Sequence, residues 1–412
     1  MEARAAFEAL ATTEGRQNPY PHYEAIRAHG GLVPVKKGSL VAVGYRECAR
    51  VLREPALQVQ DGTAFDRVYP RWRAHSSVAA FTDSMLYSNP PKHTRHRAMV
   101  NADFTVQQVA RMRPVVERMT TRLLDRVEKL GAGGAPVNLM DEFASRLPMA
   151  VVSEMLGFDT DRQVWFRDVA SAIAVSTDGF ADPAALAVAD TAMDELAAHF
   201  GEVIARKRGC PAADLVTSLV RAHDADPGRL SRDELVGNMM LLLTAGFETT
   251  AFLLGHAVLL ALREPRHADR LRTEEPFAAA YVEEVLRFEP PVHVTSRWAA
   301  ADLTLFGREV PRGSRVIVIL AAGNRDPRRY PRPNRFDPGR PAGQPLSFGG
   351  GIHFCLGAAL ARLEAQIALP MLVRRFPGLR LAGPATYRDR WVIRGLRTLP
   401  VALGPHLPNG PW

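Results

Sequence analysis

Residues Ser347 to Gly357 read Ser-Phe-Gly-Gly-Gly-Ile-His-Phe-Cys-Leu-Gly, and an Ala/Leu/Arg/Glu-rich helical pattern follows at once. Consecutive glycines admit positive φ and let another group come close. A cysteine placed where a helix begins, Cys355, meets the free N–H groups of the first turn and the positive end of the helix dipole. Both favour thiolate over thiol. The stretch describes a stabilised thiolate on a tight turn, offered to something flat and large enough to need glycine clearance. By itself it also suits a small buried core cysteine after a glycine-rich loop, so the rest of the chain has to decide.

The chain has 412 residues, with no linker or repeat that would split it, and reads as a single domain over 1–412. Ser231-x-x-Glu234 is a capping box. It opens a helix that runs to about Arg263, roughly 48 Å at 1.5 Å per residue. Apolar nearly all round, this should be the central buried helix. Its Met239–Leu262 stretch approaches membrane length, but Glu248, two threonines and His256 favour an internal helix. Leu32–Val35 and Ser39–Val43 read as a hairpin, Tyr45–Arg53 as a short helix, and 276–288 as a helix stopped by Pro290-Pro291. A small sheet is expected over 294–320, then an irregular meander over 324–346. From 90 to 209 the chain is mostly helical, with breaks at 131–134, 157–159 and 182–183. The whole is mainly α with a small β part. Residues 57–90 show little periodicity but carry Phe65, Tyr69, Trp72, Phe81 and Tyr87, which suggests a substrate-contacting loop.

Three scattered cysteines without C-x-x-C argue for a reducing compartment. The start, Met1-Glu2-Ala3-Arg4, shows no secretory pattern, so the expected location is cytoplasmic, with no membrane. The net charge of +8 is spread among acids. It fits either a solvated surface or a basic docking face, and without an aromatic-interleaved stripe it does not suggest nucleic acid.

Three further clusters carry chemistry. Gly246, Glu248, Thr249 and Thr250 crowd one turn of the central helix. Glycine there costs about 1 kcal/mol, threonine can bend the helix, and a buried acid needs a role or a partner. Together they suggest either a functional distortion or a threonine-rich turn of the core. Glu284-x-x-Arg287 shares a helix face. His93 and Arg97, one turn apart, could be a solvated helix start or a pair of carboxylate donors.

The run Phe348-Gly349-x-Gly351-x-His353-x-Cys355-x-Gly357 resembles the haem-binding loop of the cytochrome P450 superfamily, and the other clusters follow in the family's order. The resemblance spans about residues 18–402. Asn324-Arg325-Asp326-Pro327 matches soluble bacterial members. The resemblance implies the P450 fold, with a long central helix over haem b (iron protoporphyrin IX) and the cysteine loop beneath. Cys355 would be the axial thiolate and the only protein ligand to the metal. His93, Arg97, Arg297, His353, Phe348 and Gly349 would bind the cofactor. Gly246 would leave room for O2, while Glu248 and Thr249 would deliver protons; many relatives carry Asp where this chain has Glu248. Glu284, Arg287 and Arg335 would form a structural triad.

Substrate contacts implied by the same resemblance are Phe65, Tyr69, Trp72, Phe81 and Met85 in the long loop; Leu242, Leu243 and Phe247 on the central helix; and Val292, Val294, Val392 and Ile393. This lining suits a medium-sized, largely apolar specialised metabolite, such as a polyketide, terpenoid or aromatic peptide in antibiotic biosynthesis. The implied activity is insertion of one oxygen atom from O2, by hydroxylation or epoxidation. The alternatives are an H2O2-driven peroxygenase, an oxidative-coupling enzyme and, more remotely, a non-catalytic interaction domain. No flavin or NAD fingerprint occurs, so electrons from NAD(P)H would come through a ferredoxin and ferredoxin reductase. Lys92, Arg95, His96, Arg111 and Arg362 are expected on the docking face of a monomer.

Overall fold

Ser231 opens the central helix as a capping box. Its hydroxyl accepts from Glu234 N at 3.1 Å, and the Glu234 carboxylate accepts from Ser231 N at 3.0 Å. The helix, Arg232–Arg263, is 32 residues long and ends just before Pro265. A computed structural model describes residues 2–158, 160–178, 182–341 and 343–404, and helices build most of it. Among the described residues this is the one helix long and apolar enough to cross a membrane, but it is buried inside the fold.

The central helix joins two apolar cores. Its first half, including Met239, Leu243 and Phe247, packs with Phe158, Phe166 and Phe200. Its second half, including Phe252 and Leu254, packs with Phe143, Tyr281 and Leu369. Each fully buried large apolar side chain contributes roughly 2 kcal/mol. The 245–250 turn lies where one core gives way to the other. The helix runs unbroken through it, so the expected distortion is absent. Thr249 Oγ1 donates to Ala245 O at 2.9 Å without opening the backbone.

The hairpin strands Leu32–Lys36 and Ser39–Ala42 begin a five-stranded sheet. Ser39–Ala42 pairs in parallel with Arg315–Ile319, which pairs antiparallel with Val294–Ala299, and Leu57–Gln58 closes the far edge. Leu303–Leu305 and Arg308–Val310 form a separate hairpin. Its turn uses positive φ at Phe306 and Gly307. The terminal helix, Ala358–Arg375, follows the cysteine loop. Gly157, at φ +73°, and Asp182, which accepts from Ala185 N at 2.7 Å, mark two of the expected breaks. Asp159, part of one break, lies outside the described residues.

Residues 57–90 depart from expectation. They hold helices Gly62–Val68 and Ser76–Asp83, with single tight turns at Trp72–Ala74 and Met85–Tyr87. Elements this short show less than a full amphipathic repeat and depend on caps and packing. Asp61 Oδ1 caps the first by accepting from Ala64 N at 3.1 Å. Asp190, on helix Pro183–Gly209, holds the second through Ser77 N at 3.0 Å and His75 Nδ1 at 2.7 Å.

Candidate active site

The cysteine loop is shaped by its glycines and by a neighbouring helix. Gly349 and Gly351 sit at φ +71° and +69°. A Cβ on Gly351 would lie 2.4 Å from Leu52 O, so the loop rides directly on helix Tyr45–Arg53. Cys355 N donates to Phe348 O at 2.9 Å, which turns Cys355 onto the cavity floor. Burial pushes the thiol pKa up; the Gly357 N–H and the charges of Arg97 and Arg362 oppose it.

Two residues outside the expected set anchor this loop. Asn324 Nδ2 donates to Ser347 Oγ at 2.9 Å, and Asn324 Oδ1 accepts from Leu346 N at 2.6 Å. Ser347 Oγ donates to Leu286 O at 2.5 Å, on helix Phe277–Phe288. Arg287 on that helix pairs with Glu284 through two bonds of 2.7 Å. It also donates to Asn324 O, Pro333 O and Arg335 O. Arg335 therefore corrects the expected triad, since it supplies a carbonyl while its side chain is exposed. The guanidinium near Glu284 is Arg340, with Nε at 3.6 Å. Spacing could not separate two arginines in one irregular meander.

The cation cluster is present on the cavity edge. The rings of His93 and His353 lie 4.2 Å apart, and Arg97 Nη1 donates to Phe354 O at 2.9 Å. Arg297 is buried and, among the described residues, bonds only neutral groups, Ser296 O at 2.8 Å and Thr295 Oγ1 at 3.3 Å. Burial pushes its pKa down to about 10. The His353 pKa falls to about 3 through burial and the charges of Arg297, His93 and Arg97, and among the described residues its Nε2 has no hydrogen-bond partner. A buried cation without a counter-ion beside an orphaned ring nitrogen is costly. Two carboxylates at this edge would satisfy both, so the residues fit the propionates of a haem.

One cavity of about 1360 Å³ runs from Cys355, Phe348 and Gly349 to Ala245, Gly246 and Thr249 on the central helix. That exceeds the roughly 300–1,000 Å³ of a single small-ligand pocket, leaving room for a cofactor and a substrate together. A Cβ on Gly246 would come 3.2 Å from Val152, so this glycine also lets helix Arg146–Leu156 lie close.

Glu248 is 2% exposed, and among the described residues neither carboxylate oxygen has a hydrogen bond. Arg390 Nη1 lies 3.5 Å away and Arg388 Nη1 3.9 Å away. Burial raises the Glu248 pKa, while Arg390 and then Arg388 pull it down. Arg390 is itself held by Asp178, which accepts from Val392 N at 2.9 Å. Nothing in the sequence links 178, 248 and 390; only folding of the chain's end over the central helix joins them.

Phe65, Tyr69, Phe81, Met85, Leu242, Val292, Val294, Val392 and Ile393 line this cavity, joined by Tyr87 and Trp391. Trp72, Leu243 and Phe247 do not. Trp72 is buried and donates to Asp66 at 2.9 Å. Leu243 and Phe247 point into the first core, because a helix turns 100° per residue and presents Leu242, Ala245, Gly246 and Thr249 to the cavity instead. On the expected docking face, His96 is buried and its pKa falls to about 4 through desolvation, so it supplies no charge there. Lys92 and Arg95 both approach Glu234, and Arg362 pairs with Glu283.

A cysteine loop facing a threonine-and-acid turn across a slot edged with propionate-matching cations defines a haem-thiolate oxygenase. The cytochrome P450 family profile matches residues 187–379. The cytochrome P450 monooxygenase PikC of Streptomyces venezuelae is 38% identical over 93% of this chain and 91% of its own length. The 6-deoxyerythronolide B hydroxylase of Saccharopolyspora erythraea is 35% identical, covering 93% of this chain and 96% of its own. Among solved structures, ligand-free CYP164A2 of Mycobacterium smegmatis superposes with a TM-score of 0.86 at 34% identity, over 97% of this chain and 100% of that one. The chain belongs to the cytochrome P450 family and is a haem-binding monooxygenase. It takes a small-molecule substrate, O2 and electrons from redox partners.

Proposed function

We propose that this enzyme hydroxylates or epoxidises a medium-sized, largely apolar specialised metabolite. The observation that carries this reading is the cavity's wall of Phe65, Phe81, Met85, Leu242, Val292 and Val294, opposite Cys355. A relative named for hydroxylating 6-deoxyerythronolide B supports it.

Haem held by Cys355 would supply the oxygen-activating chemistry, and thiolate ligation favours O–O cleavage. The chain's own residues handle protons and position. Glu248, whose pKa burial raises against the pull of Arg390 and Arg388, lines the cavity as the acid of the proton path. The Thr249 hydroxyl already donates to Ala245 O, so its oxygen is free to accept from water on the cavity side. His93, Arg97, Arg297 and His353 hold the cofactor's edge. The apolar wall excludes water from the reacting carbon.

Electrons would arrive from a ferredoxin and its reductase, docking near Lys92, Arg95, Arg111 and Arg362. The enzyme is read as a cytoplasmic monomer with one domain over 1–412.

The test is a screen of small apolar metabolites for the substrate-induced Soret shift, followed by turnover of each binder with ferredoxin, reductase and NAD(P)H. Products carrying one added oxygen are expected. Binders converted only with H2O2, or coupled without oxygen insertion, would overturn the reading.

A further inference from the structure

Arg315 is a further cation lining this cavity. In the sheet, Arg297 faces Val316 and Trp298 faces Arg315. Successive side chains alternate between faces, so Arg315 and Trp298 leave the sheet on the side opposite Arg297. Tyr87 lines the same cavity, near enough to Arg315 for the phenol and the guanidinium to interact.

Arg315 lines the cavity, and its Nε is buried without a hydrogen-bond partner among the described residues. Among the described residues it forms no ion pair. Its guanidinium carbon lies 5.9 Å from the Trp298 ring centre, which leaves the fork free for a planar anion. The acids lining the cavity cannot serve it. Asp178 and Glu248 are engaged by Arg390, and burial holds Glu364 well above the usual carboxylate range, in its neutral form.

Tyr87 completes the corner. Its ring packs edge-on to Phe65 and Phe81, with centres 5.7 and 6.3 Å away. Its phenol makes no hydrogen bond among the described residues. Burial raises its pKa to about 12, so it remains a donor at neutral pH.

We propose that Arg315 and Tyr87 form an anion clamp at one end of the substrate cavity, and that the substrate is an apolar molecule bearing a carboxylate. This rests on the reading that the cavity is a monooxygenase substrate site. The apolar walls take the body of the molecule, and the clamp fixes which carbon lies over Cys355.

The test uses optical titration of the haem-loaded protein with saturated carboxylic acids, octanoic to hexadecanoic, and their methyl esters. The wild type is expected to bind the best acid roughly tenfold or more tightly than its ester, the scale of a charge-assisted hydrogen bond. Arg315→Gln should abolish that preference and leave ester binding and the reduced-CO Soret band unchanged. Tyr87→Phe should reduce it several-fold, and serves if the first variant misfolds. The proposal is overturned if no acid in the series binds better than its ester, or if the preference survives Arg315→Gln. It is equally overturned if Arg315→Gln speeds haem transfer to apomyoglobin without touching the preference, since the anion is then a propionate. Binding is read without turnover, so a failed oxygenation assay would count against the proposed function and not against the clamp.

Discussion

Arg390 reaches Glu248 across the protein interior, its Nη1 3.5 Å from Oε2. The contact ties the chain's last strands to the oxygen-facing turn of the central helix. Arg390 opposes the burial that raises the Glu248 pKa, so it sets how readily this acid gives up its proton. Arg390→Gln should make Glu248 harder to ionise and leave haem content and substrate binding intact. Product formed per NAD(P)H consumed should fall about tenfold, less than the 10²–10⁴ that a general acid–base group contributes, because Glu248 itself remains, with a larger solvent isotope effect. Arg390→Lys should restore part of the coupling. Unchanged coupling in the glutamine variant would reduce Arg390 to a packing residue.

Glu284 and Arg287 form a buried pair whose carboxylate also accepts from Asp337 N at 2.8 Å. Glu284→Ala leaves Arg287 buried and unpaired, a loss of about 3–5 kcal/mol. Poorly folded, haem-free protein is expected on purification. Arg335→Ala should stay within about 0.5 kcal/mol of wild type, as an exposed side chain whose carbonyl is unaffected. Arg340→Ala should cost more. Urea midpoints ranking the two arginines the other way would restore Arg335 to the triad.

These pairs show what the sequence could carry. The cysteine loop, the capped central helix and the Glu284–Arg287 pair are local patterns, and local hydrogen bonding or helix period fixes them. Arg340, Arg390 and Asn324 act through contacts between segments far apart in the chain, and no spacing encodes those. The helices over 62–83 escaped for another reason: they are too short for a periodic signal and exist through the caps at Asp61 and Asp190. Trp72 and Phe247 look like lining by composition, and only their direction excludes them.

The interior histidines make stability depend on pH. His256 and His293 are buried, and desolvation lowers both pKa values from 6.5 to about 4. A histidine held neutral in the fold contributes stability above its unfolded pKa, lost as pH falls from 6.5 toward 4. Glu289 beside them, held well below the usual carboxylate range, acts in the same direction at lower pH. Urea unfolding should weaken from pH 7.5 to pH 5 by on the order of 1–2 kcal/mol per ring. His256→Asn, whose side-chain amide can donate to Glu289 O as Nδ1 does at 3.0 Å, should remove about one proton from that slope. An unaltered slope would place the titration elsewhere.

Three glycines that are indistinguishable in sequence should respond differently to a methyl group. Gly350 is extended, at φ −171°, and an added Cβ would meet Leu52 Cβ at 3.4 Å, an ordinary contact. Gly350→Ala should therefore be nearly silent. Gly349 sits at φ +71° with its nearest atom, His353 O, 3.9 Å from the new carbon. Gly349→Ala should cost the backbone strain alone, on the order of 1–3 kcal/mol, because φ +71° with ψ −147° is a conformation almost reserved for glycine. Gly351 combines φ +69° with a clash, since its Cβ would stand 2.4 Å from Leu52 O, a backbone atom that cannot swing aside. Gly351→Ala must lift the loop off helix Tyr45–Arg53 and move Cys355 with it. Haem retention and melting temperature should therefore rank Gly350→Ala, then Gly349→Ala, then Gly351→Ala, with the last losing the reduced-CO thiolate band. Equal losses at all three positions would mean that the haem itself, and not Leu52, demands the clearance.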